Sequence, residues 1–326
     1  MTAFESDAQA SAPPPRPRRP ATTPSLPIWL RKRPPQVVRR QVATPRDARW
    51  WFGVASVTVA ILSLSFVGHV TIFGAFQESQ TQAQLYQKLR DSLAGATTPL
   101  GELDLNGKIV PPGTPLALLK IKRLGLSQVL VQGTSSAVLR EGPGHRRDSV
   151  MPGQLGTSVI FGRQSTYGGP FGGLATLVPG DVITVTTGQG KSNFRVFGIR
   201  RPGDPVPVPV TAKEGRLELV TASGPLLSPT STLYVDAKLV GTAKVAPSPV
   251  FTLAALSDGE GPMQTDPNAL LPFLFAVQWL AIATAVVLWL ARKWGRWQTW
   301  IVGLPVLLVL GATSADCAIG LLPNLL

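Results

Sequence analysis

The chain has 326 residues, 44% of them hydrophobic and only 15% charged, a balance that suggests membrane segments alongside a folded part. Its single cysteine, Cys317, excludes an intrachain disulfide and a cysteine-built metal site. The net charge of +13 is concentrated in residues 1–49, where ten Lys/Arg face three Asp/Glu next to an apolar run, so it fits a membrane-surface or topology signal better than a nucleic-acid footprint.

Residues 1–49 centre on Pro13-Pro14-Pro15-Arg16-Pro17-Arg18-Arg19-Pro20. They read as a disordered basic tail, because little apolar surface is available to offset ordering entropy. Such a tail either meets anionic lipid or a cytoplasmic partner, or merely fixes topology. Residues 50–73 hold no Lys, Arg, Asp or Glu. About 20 such residues cross a bilayer, so this is a first span, with Trp50 and Trp51 as interfacial aromatics, and it reads as an uncleaved anchor. His69 sits near its outer end, as an interfacial residue or as a proton or metal group. Residues 75–99 follow as a helical stem: Leu85, Leu89 and Leu93 share one helix face, and Gly95 and Pro99 end it.

Over residues 100–242 short β-like runs alternate with Gly and Pro. The candidate strands are Thr114–Ile121, Ser127–Gln132, Thr157–Gly162, Asp181–Thr187, Asn193–Ile199, Val206–Val210, Arg216–Thr221 and Thr232–Val240. Eight short strands with regular turn signals predict a mainly β domain, a sandwich or a barrel. Val206-Pro207-Val208-Pro209-Val210 fits only an edge or an irregular extended segment, since proline donates nothing to a ladder. Residues 243–268 read as a linker, 269–291 as a second span, 292–299 as a basic loop with Arg292, Lys293 and Arg296, and 300–322 as a third span whose one charge is Asp316. Positive flanks place 1–49 and 292–299 in the cytoplasm and the β domain outside a multi-pass plasma membrane protein.

Several pieces of the β domain, in order, resemble the sortases, especially the actinobacterial class E type. Gly113-Thr114-Pro115-Leu116-Ala117-Leu118-Leu119-Lys120-Ile121 looks like their opening strand. Val131-Gln132-Gly133-Thr134, Leu139, Gly142-Pro143-Gly144-His145 and Pro152-Gly153-Gln154-Leu155-Gly156 are similar to successive passages of that class. Tyr167-Gly168-Gly169-Pro170-Phe171, Leu174, Leu177 and Gly180-Asp181 follow the same pattern, and Leu217–Thr221 and Leu233–Ala237 complete it. The resemblance implies an eight-stranded sortase-type β-barrel outside the membrane, beside three transmembrane helices. It also implies a cysteine transpeptidase, with a thiolate nucleophile, a histidine acid/base and an arginine for the oxyanion, and no metal or cofactor.

All three catalytic positions depart from that pattern. The histidine that should follow Phe161-Gly162 is Arg163, the cysteine after Val220-Thr221 is Ala222, and the arginine that begins the last strand is Thr232. Thiolate chemistry needs an exported cysteine with a base in reach, and the only cysteine lies in the third span. The reading is therefore a degenerate, membrane-anchored sortase-like protein that binds or scaffolds a cell-surface protein or peptide. The alternative is a sortase-type cysteine transpeptidase or a diverged peptide hydrolase of the cell envelope. Arg163, Gln164, Tyr167 and Ser223 are candidate groove residues. Arg163 reads either as a holder of an acidic group at the old cleft or as a solvated surface arginine. Ser223 reads as a turn residue, or as a nucleophile served by His145. His145-Arg146-Arg147-Asp148 reads as a mixed-charge loop, since one His and one Asp make no metal site. Nothing in the sequence speaks to oligomeric state.

Overall fold

The computed structural model describes residues 48–211, 213–250, 256–294 and 296–326. The expectation for 1–49 lies outside these residues except for its last two, as do the side chains of Trp50 and Trp51.

The described chain opens with α1 (Ala48–Gly68), which passes through a π-helical turn at His69–Phe73 into α2 (Gly74–Ala94). The apolar face of α2 is the one the leucine spacing marks. Leu85 and Leu89 are buried against Val129, Val131 and Val138, with Leu93 at the margin. Two further helices follow the β domain, α3 (Leu270–Lys293) and α4 (Arg296–Ile319). Three helical stretches, Val59–Ala94, Leu270–Lys293 and Trp297–Ile319, are long and apolar enough to cross a membrane.

The β domain is a closed eight-stranded barrel. Its strands are β1 (Pro115–Ile121), β2 (Leu126–Gln132), β3 (Gly144–His145), β4 (Gly156–Phe161), β5 (Val182–Thr187), β6 (Gly190–Arg200), β7 (Gly215–Ser223) and β8 (Ser231–Val240), ordered β1-β2-β3-β4-β7-β8-β6-β5 and closed by the β5–β1 pair. Two contacts are parallel, β2 with β3 and β4 with β7, and the rest are antiparallel. Alternation fills the interior: Leu116, Leu119, Ile121, Leu130, Ile160, Ile183, Val185, Phe194, Leu217, Leu219, Val235 and Ala237 form one buried cluster. Full closure leaves no long edge to template aggregation.

One of the eight candidate strands proves to be the irregular extended segment its prolines allow, and one strand was not expected. Val206–Val210 joins no ladder, for the reason its prolines give. The eighth strand is instead β3, only two residues long, which carries no period for a sequence pattern to display. Gly144 is essential there, because a Cβ on it would stand 2.1 Å from the Gly133 carbonyl oxygen.

Candidate functional site

The barrel brings Arg163, Ala222 and Thr232 to one end. On the antiparallel β7–β8 pair Ala222 stands directly opposite Thr232. On the parallel β4–β7 pair Phe161 is level with Val220, and the Gly162 N–H donates to the Val220 carbonyl at 3.0 Å. Arg163 therefore leaves β4 beside Ala222. Gly162 is fixed by packing, since a Cβ there would fall 2.4 Å from the Phe171 ring.

The three side chains are a methyl, a hydroxyl and a guanidinium, all buried. The Ala222 methyl has nothing to deprotonate. It is buried among Leu139, Val159, Phe161, Val220 and Leu325, with Tyr234 and Met263 at the margin. Thr232 is also buried. Arg163 is 0% exposed, which overturns its reading as a solvated surface arginine. Its Nε donates to the Leu139 carbonyl at 3.2 Å, Nη1 to Thr166 Oγ1 at 3.0 Å, and Nη2 to the Ser136 carbonyl at 2.8 Å and Ser136 Oγ at 3.0 Å. The guanidinium also lies 5.3 Å from the centroid of the Tyr167 ring. Burial lowers its pKa to about 9, so it is charged at neutral pH, held by neutral oxygens.

The cleft beside these residues is filled by the chain itself. After α4 the backbone turns, and Asn324, Leu325 and Leu326 enter it, all buried. The Gln164 N–H donates to the Leu325 carbonyl at 2.9 Å, and Thr166 donates to the Leu326 oxygen from Oγ1 at 2.6 Å and from its N–H at 3.3 Å. Residues before α3 close the other side. The Asn324 N–H donates to the Gln264 carbonyl at 2.9 Å, and Asn324 Nδ2 donates to the carbonyls of Thr134 at 3.0 Å and Gly261 at 2.8 Å. Glu260 anchors this stretch: it pairs with Arg147 Nη2 at 2.6 Å, and its carbonyl accepts from Thr134 Oγ1 at 2.7 Å.

The other sequence candidates divide. Gln164 lies at the cleft mouth, its Nε2 donating to the Gly224 carbonyl at 3.2 Å. Tyr167 is buried, with a positive φ of 48°. Its Oη donates to Asp316 Oδ1 at 2.9 Å and its N–H to the Val70 carbonyl at 3.1 Å. Burial, reinforced by the charge of Asp316, raises its pKa to about 12, so it stays a donor. His69 Nε2 meets the same Asp316 oxygen at 3.0 Å, which ties the first helical run, α4 and the barrel together. Ser223 ends β7, and His145 does not serve it. His145 is level with Ile160, which is level with Leu219, four residues short of Ser223, or roughly 13 Å along the strand. The imidazole contacts Gln132 Oε1 at 3.2 Å, the Val150 carbonyl at 3.0 Å and Ser149 Oγ at 3.2 Å. Burial depresses its pKa to about 4, so it is neutral at pH 7. Asp148 is chelated by Arg146, with Nη2 to Oδ2 at 2.9 Å, and among the described residues no group of three His, Cys, Asp or Glu could hold a metal ion.

Sequence reasoning missed residues 323–326, Glu260 and the Tyr167–Asp316–His69 cluster. The available hints were Asp316, alone in an apolar run, and Asn324, an amide among leucines and a proline. Their partners lie 149 residues away for Asp316 and Tyr167, and 190 for Asn324 and Thr134, too far for any local pattern to reach.

Residues 119–240 match the family model of the sortase domain. Similar solved structures include the sortase D5 transpeptidase of Clostridium perfringens, 22% identical over 50% of this chain and 98% of that one, with a TM-score of 0.40. Sortase E1 of Streptomyces coelicolor, solved with a tripeptide in the active site, is 26% identical over 44% of this chain and 98% of that one, with a TM-score of 0.35. Sortase E of Streptomyces avermitilis is 27% identical over 47% of this chain and 100% of that one, with a TM-score of 0.35. No curated protein matches the chain.

Proposed function

From a chain whose residues 119–240 are a sortase-family domain, we propose a membrane-anchored protein that binds or scaffolds a cell-surface protein or peptide and transfers no acyl group. The observation that carries this reading is Ala222. It stands where the family resemblance puts the nucleophile, and its methyl is 2% exposed and packed against Leu325. Nucleophilic catalysis needs an ionisable atom and a base in reach. Here the neighbouring groups are Thr232 and Arg163, and the guanidinium is committed to Ser136, Leu139 and Thr166. His145 spends its ring nitrogens elsewhere. The three apolar helices anchor the protein. In this reading the basic segments 1–49 and 292–299 face the cytoplasm and the barrel faces out.

The test uses the full chain in nanodiscs, given sorting-signal peptides and an amine acceptor, with products read by mass spectrometry. No cleaved or ligated product is expected. A photo-crosslinking residue at Leu226, which is 61% exposed beside the cleft mouth, is expected to capture a discrete envelope protein in cells. Fold-dependent cleavage of any peptide would overturn the reading and restore the hydrolase or transpeptidase alternative.

A further inference from the structure

Residues 323–326 do not merely rest on the barrel. They form a turn, closed by the Leu326 N–H donating to the Pro323 carbonyl at 3.1 Å, and the barrel grips that turn through its main chain and two side chains. Main-chain groups carry much of the contact: the Leu325 carbonyl accepts from the Gln164 N–H, and the Leu326 oxygen accepts from the Thr166 N–H. Side chains supply the selectivity. Leu325 enters a pocket of Leu139, Val159, Phe161, Val220 and Ala222. Asn324 Nδ2 points into a ring of carbonyls from Thr134, Gly259 and Gly261. An acidic side chain in the Asn324 place would face only carbonyl oxygens, and any charge in the Leu325 place would be stranded among apolar carbons.

Two features mark this occupancy as exchangeable. Gln164 Oε1 is buried without a hydrogen-bond partner, so the segment leaves an acceptor of the site unfilled, and the segment's own Asn324 Oδ1 meets no donor there. The segment is also tethered directly to α4, and a tethered ligand needs little intrinsic affinity, because its effective concentration is on the order of mM.

We propose that the cleft beside Ala222 is a peptide-binding site kept closed by the chain's own residues 323–326, and that the peptide it admits when they withdraw is uncharged and turned like them, with an asparagine followed by leucine. This rests on the reading of the barrel as a binding module. Withdrawal of the segment uncovers the Leu325 pocket, the carbonyl ring and the N–H groups of Gln164 and Thr166 together, so an incoming peptide replaces every contact that is lost.

The experiment uses the full chain in nanodiscs and a fluorescein-labelled Leu-Leu-Pro-Asn-Leu-Leu peptide, with binding read by anisotropy. One variant carries a protease site inserted between Leu322 and Pro323, so that the segment is released after folding. A second, Asn324→Ala with Leu325→Ala, loosens the segment without an insertion. Thermal melting confirms that each is folded. The intact chain is expected to bind the peptide at least 10-fold more weakly than the released chain and the double variant. A peptide with Asp for Asn and Lys for the following Leu is expected to bind neither. Equal binding by intact and released chains, no binding by a folded released chain and a folded double variant, or equal binding of the charged peptide would each overturn the proposal. Binding followed by cleavage of the peptide would leave the gated site standing and overturn the non-catalytic reading instead, so the two fail separately.

Discussion

Along the outward face of β7 and β8 the chemistry changes within four residues. At one end Glu218 and Asp236 clasp Arg200, with Arg200 Nε to Asp236 Oδ2 at 2.8 Å and its guanidinium 4.2 Å from the Tyr234 ring centroid. At the other end Val220 and Ala222 meet Leu325, and the nearby buried arginine, Arg163, has only neutral oxygens. A half-buried cation held by two carboxylates is a compensated charge, and its loss strands both partners. A buried cation held by carbonyls and hydroxyls is structural glue whose loss leaves only neutral groups unpaired. The contrast places the ionic part of this sheet face away from Ala222 and Arg163, where Leu325 packs instead.

The largest effect should fall on the ionic end. Arg200→Ala leaves Glu218 and the 1%-exposed Asp236 facing each other and is expected to cost about 3–5 kcal/mol, read as a large drop in melting temperature. The next effect is a pH dependence. His145 stays neutral in the fold down to about pH 4, whereas in the unfolded chain it takes a proton near 6.5. Between those values only the unfolded state gains the proton. Stability that is fully present above pH 6.5 is therefore lost as the pH falls to 4, on the order of 3 kcal/mol. His145→Gln should flatten that part of a melting-temperature profile.

At the cleft end Arg163→Met, which removes the charge while keeping most of the volume, is expected to cost about 1–3 kcal/mol, less than Arg200→Ala. A larger loss for Arg163→Met than for Arg200→Ala would break the contrast. Ser223→Ala should change stability by less than about 0.5 kcal/mol and leave any ligand binding intact, because Ser223 sits at the strand end and its side chain serves no base.

The barrel was legible because its inner face obeys a period of two: Leu217 and Leu219 point into the core and Glu218 lies between them. The same strand also shows where legibility stops. Val220 and Ala222 belong to the opposite face, which period-two reasoning gives to solvent, yet both are buried. They are covered by Leu325, a hundred residues on and beyond two long helices, which no local pattern connects to β7. Arg163 misled for a related reason. An arginine after a strand is ordinarily solvated, and its burial here depends on carbonyls from residues 136 and 139 and on Thr166, which the 323–326 segment in turn caps. The chain gives the identities of Arg163, Ala222 and Thr232, whereas the Leu325 that packs beside them could be seen only in three dimensions.

Leu325 lies against Ala222 and closes the cleft. Replacing both with cysteine in a Cys317→Ala background, within the otherwise full-length protein in nanodiscs, puts two thiols in the same buried cluster. Mild oxidation is expected to form an intramolecular 222–325 disulfide in most molecules, seen by mass spectrometry of the peptides, with the 222 thiol slow to react with maleimide beforehand. A folded protein that forms no such disulfide and labels at 222 as fast as a cysteine placed at the exposed Leu226 would contradict the account, because the cleft would then stand open.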